Sequence, residues 1–328
     1  MKRTIFPARG ETPIHRLDPL VRQQLKIKPH YGNYYEDYDP DPEDIDVISA
    51  RRNAAYGKDV TQSDVEIKSF NIPCGTHYIP ARRYKAHKYC PNVVLYLHGG
   101  SFILGSTAHK DAQCRYLAET SKACVISIDY RLAPENPYPA AVVDALAALN
   151  YCSEMPHEKL IIVGDSAGGT LAANALLASP VIVDYAVFIY AALDLASPGQ
   201  MLDPWSYSLY ECDEEERDLI YNRLNRFRLL TKDVQKLYLQ NGESPLDPAI
   251  SPCRTTDFSR FPNSLFVIAE YDYYRFCNEA FARRLEWRGI EPEVLYYEGL
   301  DHGFFDRLGV LPQAKECIEQ IGFRIQHL

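Results

Sequence analysis

Six residues, Gly164-Asp165-Ser166-Ala167-Gly168-Gly169, constrain the fold of this 328-residue chain more than any other stretch. They lie between an apolar run, Leu160-Ile161-Ile162-Val163, and a helical pattern with an apolar face that begins at Thr170. A serine among small residues, with a buried strand before it and a helix after it, occupies a tight, strained turn. Its hydroxyl then projects above the sheet at a helix N-terminus, where the dipole favours developing negative charge. The plainer alternative is a helix-capping serine in a glycine-rich turn.

The rest of the chain supplies the sheet that such a turn needs. Short apolar runs recur at 92–97, 124–128, 160–163, 185–191, 265–269 and 294–297, with helical patterns at about 109–121, 140–153, 167–178, 277–288 and 312–326. Near-continuous apolar strands alternating with helices imply a mostly parallel sheet covered on both faces. Two β-like segments, 65–74 and 77–84, bring the expected count to about eight strands. Residues 1–60 differ, being rich in Pro, Asp and Tyr, with short helices expected near 19–27 and 42–56. Between 196 and 250 there is no strong strand, only helical segments at about 213–230 and 231–241. An insertion that long, where strands lead into ligand-binding loops, is expected to form a cap. The domain reading is thus an N-terminal cap segment, 1–60, and a catalytic domain, 61–328, carrying the cap insertion at about 196–250. The cap reads as acidic and Tyr-rich, without a long basic amphipathic helix.

A serine hydroxyl is a weak nucleophile at neutral pH and needs a positioned base. On such sheets the partners follow the serine in the order acid, then histidine. Of nine histidines only His302 and His327 come after the later strands, and His327 is the penultimate residue of a helical pattern. His302, in Leu300-Asp301-His302-Gly303-Phe304, is therefore the expected base. Asp272, on the loop after the 265–269 strand, is the expected acid. Asp301 is too close in sequence to reach the δ-nitrogen of its neighbour, and Glu270 lies on or beside the strand. For the oxyanion, His98-Gly99-Gly100 follows a strand and exposes backbone N–H groups. Gly99, Gly100 and Ala167 are the expected donors, and His98 is expected to brace the loop.

Composition excludes other classes. The net charge is −9, with no Lys/Arg cluster on a predicted helix, so neither nucleic acid nor an anionic membrane is an expected partner. The longest apolar stretch is about half what a membrane helix requires. Nine cysteines lie far apart without a Cys-x-x-Cys, so neither a disulfide framework nor a metal cluster is expected. With no apolar run behind Lys2-Arg3, the expected location is cytoplasmic. No cofactor is expected.

Taken together, His98-Gly99-Gly100, Tyr130-Arg131-Leu132-Ala133-Pro134-Glu135, Gly164 to Gly169, Asp247-Pro248, Asp272 and Asp301-His302-Gly303-Phe304 resemble the hormone-sensitive-lipase-like esterases of the α/β-hydrolase superfamily. The resemblance spans about 98–304. It implies the α/β-hydrolase fold with a helical cap, the triad Ser166, His302 and Asp272, and hydrolysis of carboxylic esters with short to medium acyl chains. The sequence departs from the family at Ser101, where a third glycine is usual, and at Phe276, where a second acidic residue is usual. The same His-Gly-Gly-Ser occurs in plant carboxylesterases and the related gibberellin receptor. A small-molecule ester is the implied partner, and a homodimer is compatible with it. An amidase or deacetylase would need the same residues, so that alternative stays open. A triacylglycerol lipase and a non-catalytic receptor are further alternatives. The gibberellin receptor lacks the histidine that this chain has at 302.

Overall fold

The computed structural model describes residues 1–9, 14–27, 47–52 and 56–328. Nine strands form one sheet: β1 (Lys2–Phe6), β2 (Glu66–Cys74), β3 (His77–Lys85), β4 (Asn92–Leu97), β5 (Cys124–Ile128), β6 (Lys159–Asp165), β7 (Tyr185–Ile189), β8 (Ser264–Tyr271) and β9 (Pro292–Asp301). The helices are α1 (Pro19–Ile27), α2 (Val47–Arg52), α3 (Asp111–Ser121), α4 (Ala140–Ser153), α5 (Ala167–Ala178), α6 (Arg217–Tyr238), α7 (Arg275–Trp287) and α8 (Pro312–Gln326). Spatial order in the sheet is β1-β9-β8-β7-β6-β4-β5-β3-β2. All neighbours from β1 to β5 run parallel, and the β5–β3 and β3–β2 pairs are antiparallel.

The central strands β4 to β8 are buried along almost their whole length, as expected for a parallel sheet covered on both faces. Around it α3 packs on α8, α4 on α5, and α7 beside β8 and β9. The parallel crossovers bring the C-terminal ends of β4, β6, β8 and β9 to one edge of the sheet, where ligands bind in such folds.

Three features differ from the sequence pattern. Among the described residues the sheet has nine strands where about eight are expected, because Lys2–Phe6 pairs in parallel with β9 instead of joining a cap. That strand is an edge with Lys2, Arg3 and Ile5 exposed, so it lacks the apolar run that marks the others. Second, 213–230 and 231–241 are not separate: α6 runs unbroken for 22 residues through Thr231, whose hydroxyl donates to the Phe227 carbonyl. Third, α6 carries four arginines and two lysines against two aspartates, so the insertion does contain a long basic helix. Of the helix expected near 42–56, residues 47–52 are helical and most of the rest lies outside the described residues.

Candidate active site

The turn between β6 and α5 holds Ser166 at φ +52° and ψ −119°, a conformation L-residues adopt only when their surroundings impose it. Two glycines make it possible. A Cβ at Gly164 would run into the Gly168 carbonyl, and one at Gly168 into that of Leu97. The Ser166 amide donates to the Ile189 carbonyl (2.9 Å), and its own carbonyl accepts from the Ala192 amide (3.1 Å), so the end of β7 and the loop after it fix the turn from the side.

His302 follows the last residue of β9. Its Nε2 lies 2.9 Å from Ser166 Oγ, and its Nδ1 lies 2.9 Å from each carboxylate oxygen of Asp272. With the proton on Nδ1 donated to Asp272, Nε2 is free to accept from the serine hydroxyl. Asp272 is buried just beyond β8, where its Oδ1 also accepts from the Tyr274 amide (2.8 Å). The imidazole packs between Tyr190 and Phe227, at centroid distances of 4.6 and 4.3 Å.

The two other carboxylates weighed for the acid lie elsewhere. Asp301 is engaged by Arg223 Nε (2.6 Å) and by Arg307. Burial alone would raise its pKa, but the two guanidiniums outweigh it and hold it at about 2. Glu270 accepts from the Gly299 amide (2.7 Å) and faces His15 Nδ1 (3.2 Å), and burial raises its pKa. Neither reaches the δ-nitrogen of His302.

The oxyanion donors need one correction. The Gly99 amide donates to Asp165 Oδ1 at 2.9 Å and is buried, so it cannot face a substrate. A side chain there would strike the same carboxylate. The amides of Gly100 and Ser101 have no hydrogen-bond acceptor among the described residues, and both residues are partly exposed, as Ser166 is. Ala167, the first residue of α5, has no intrahelical acceptor for its amide. His98 braces the loop: its Nδ1 donates to the Gly99 carbonyl (2.8 Å), and its own carbonyl accepts from Tyr130 OH (2.7 Å). Burial lowers the His98 pKa to about 4.

Behind the loop lies a network with no sequence signature. Asp165 accepts from Tyr96 OH (2.6 Å) and from Lys110 Nζ (2.8 Å), and Lys110 also pairs with Asp306. Cys74, His77 and Asp144 bring three donor atoms within 4.8 Å of one another. Asp144 there already takes Arg131 Nε, Nη2 and backbone amide, at 2.8–3.1 Å. Asp144 is thus paired with a guanidinium and, at 2.9 Å, with His77 Nε2.

A family model described as an α/β hydrolase fold matches residues 94–306. The chain belongs to this family. It is similar to an arylesterase of Saccharolobus solfataricus, 30% identical over 93% of this chain and 97% of that protein. A carboxylic ester hydrolase of Mycobacterium tuberculosis, LipN, is 30% identical over 88% of this chain and 77% of its own. A solved esterase structure from Pyrobaculum calidifontis superposes with a TM-score of 0.75 at 30% identity, covering 95% and 98% of the two chains. This hormone-sensitive-lipase-like esterase is a carboxylic ester hydrolase acting on small-molecule esters. Among the described residues no helix is long and apolar enough to cross a membrane.

Proposed function

We propose that the esterase works through an acyl-enzyme formed on Ser166. The hydroxyl attacks the ester carbonyl carbon while its proton passes to His302 Nε2. Asp272 holds the imidazole in the required tautomer and stabilises the imidazolium. The carbonyl oxygen becomes an oxyanion and meets the amides of Gly100, Ser101 and Ala167. Each such donor contributes about 3–4 kcal/mol at the transition state. The intermediate collapses by expelling the alcohol, which takes the proton from His302, and water then repeats the sequence to release the acid. The single observation that carries this reading is the continuous chain of 2.9 Å contacts from Ser166 Oγ through His302 to Asp272. The same contacts disfavour the receptor alternative, since a binding scaffold has no need of an aligned base.

The insertion at 196–250 and the N-terminal helix α1 are proposed to roof the site. Arg22 in α1 pairs with Glu216 (3.0 Å), whose other oxygen accepts from the Leu17 amide (2.7 Å), and Phe227 of α6 lies on the His302 ring. Short- to medium-chain acyl esters fit a roofed pocket of finite depth. A cytoplasmic location is supported by nine free cysteines, which persist in reducing compartments.

A panel of p-nitrophenyl esters assayed beside the matched anilides tests the reading. An initial burst of p-nitrophenol equal to the enzyme concentration is expected on the esters, with no matching burst of p-nitroaniline from the anilides. Faster turnover of the anilides would favour the amidase alternative instead.

A further inference from the structure

The cap insertion reaches the catalytic histidine twice through one face of α6. Arg223 and Phe227 are four residues apart, so their side chains share that face. Arg223 Nη2 donates to the backbone carbonyl of His302 at 2.6 Å, while its Nε donates to Asp301 Oδ2 at 2.6 Å. Phe227 covers the imidazole itself, and the Arg223 guanidinium lies 4.7 Å from the centre of the Phe227 ring. Arg223 is only 13% exposed. A third contact grips the acid: Tyr210 OH, also from the insertion, donates to the Asp272 carbonyl at 2.7 Å.

We propose that Arg223 is a positioning residue that ties the seating of the cap to the placement of His302. The proposal rests on His302 being the base. Strand β9 ends at Asp301, so the histidine begins a loop, and Gly303 beside it is at φ +81°. Nothing in a loop of that kind fixes the imidazole direction to a few tenths of an ångström. A guanidinium that bonds the carbonyl of one residue and the carboxylate of the residue before it fixes the His302 peptide and the Asp301 side chain at once. That task needs the planar fork of arginine, which a single lysine nitrogen cannot reproduce. If the cap lifts, the Arg223 bonds and the Phe227 contact break together, so an unroofed site also loses its aligned base.

The charges around His302 give the test a readout beyond folding. Asp272 faces it from the loop after β8 and Arg223 from α6. Asp301, Arg307 and Asp306 lie along its own loop, with Lys110 paired to Asp306. Tyr190 and Tyr274 also touch the ring, but burial raises both phenol pKa values, so they carry no charge. Removing Arg223 takes away one positive charge and leaves Asp301 partly uncompensated. Both changes favour the imidazolium, so the acid limb of kcat/KM must move to higher pH.

The experiment is the pH profile of p-nitrophenyl acetate hydrolysis by Arg223→Met, Arg223→Lys, the double variant Arg223→Met/Asp301→Asn, and His302→Ala. For Arg223→Met we expect kcat to fall about 10- to 100-fold, KM to stay near the wild-type value, and the acid limb to move to higher pH. Arg223→Lys should keep the limb in place and recover only part of kcat. The double variant should return the limb without restoring kcat. Wild-type kcat with an unmoved limb in Arg223→Met overturns the proposal. So does a loss of rate that matches a loss of folded protein by near-ultraviolet circular dichroism. An inactive His302→Ala beside an unaffected Arg223→Met overturns this proposal alone, whereas an active His302→Ala overturns the triad as well.

Discussion

Lys110 places its ammonium 2.8 Å from the carboxylate of Asp165, the residue immediately before Ser166, and both side chains are almost wholly buried. Asp165 in turn holds the Gly99 amide, so one ion pair ties the serine turn to the oxyanion loop. Breaking a buried pair on one side leaves an uncompensated charge, which typically costs about 3–5 kcal/mol. Lys110→Met is therefore expected to lose stability on that scale in urea titrations. Lys110→Met/Asp165→Asn strands no buried charge, since Asp306, the other partner of Lys110, is partly exposed, and should regain a good part of it. A single variant as stable as wild type would mean the pair holds nothing together.

In the proposed mechanism Ser166 and His302 act on one proton, so they should fail together. Ser166→Ala and His302→Ala are each expected to remove nearly all esterase activity, and the double variant should be little worse than either. Losses that multiply would contradict a shared step. A fluorophosphonate should label wild-type enzyme at Ser166, and labelling retained in Ser166→Ala would place the nucleophile elsewhere.

Asp272 and Asp301 make opposite predictions from similar chemistry. Asp272→Asn presents an amide to Nδ1 and no longer selects the working tautomer, so turnover should fall by about 10⁴-fold with the fold intact. Asp301 bonds arginines and not the imidazole, so Asp301→Asn should slow turnover far less. Steady-state kinetics on the two purified variants decide the matter. The reverse ranking would exchange their roles.

Much of this site is legible from residue order alone. Ser166, Asp272 and His302 follow strands whose burial on both faces makes them continuous apolar runs, so each could be located by the strand before it. Lys2–Phe6 could not, because an edge strand with exposed Lys2, Arg3 and Ile5 carries no such run. The oxyanion loop shows a different limit. Sequence marks His98-Gly99-Gly100-Ser101 as backbone-exposing, yet which amide faces substrate depends on Asp165, 66 residues away, taking Gly99. Lys110 and Arg223 are likewise invisible in the sequence, since their partners sit on other crossovers and no periodicity connects them.

His98 links the loop to pH. Its Nδ1 proton is donated to Gly99, while Nε2 is buried with no protein partner among the described residues, so a second proton there would be a buried, unsatisfied N–H. Burial lowers its pKa from 6.5 to about 4, so between those values the unfolded chain binds a proton that the folded chain refuses. Stability from this group is therefore full above pH 6.5 and declines as pH falls toward 4. Unfolding midpoints of wild type and His98→Asn measured from pH 7 to 4.5 should converge as the pH drops. A constant difference would show that His98 does not titrate with folding.

The acyl-length profile tests the roof. Each methylene that fits beneath it adds roughly 0.8 kcal/mol of burial, so kcat/KM should first rise with chain length. Past the end of the pocket a longer chain must bend or displace the cap, an overpacking cost of about 1–3 kcal/mol that cancels the gain. The preferred esters should therefore carry about two to eight acyl carbons. The basic charge of α6 does not by itself make it a lipid-binding helix, which needs an apolar face open to the interface. Ile220, Leu224, Val234 and Tyr238 of α6 are buried against the rest of the protein, and Arg223 is turned inward onto Asp301. No jump in rate is expected as substrate passes its solubility limit. Strong hydrolysis of emulsified long-chain triacylglycerol, with such a jump, would mean that α6 leaves the body of the enzyme and that the site is a lipase's.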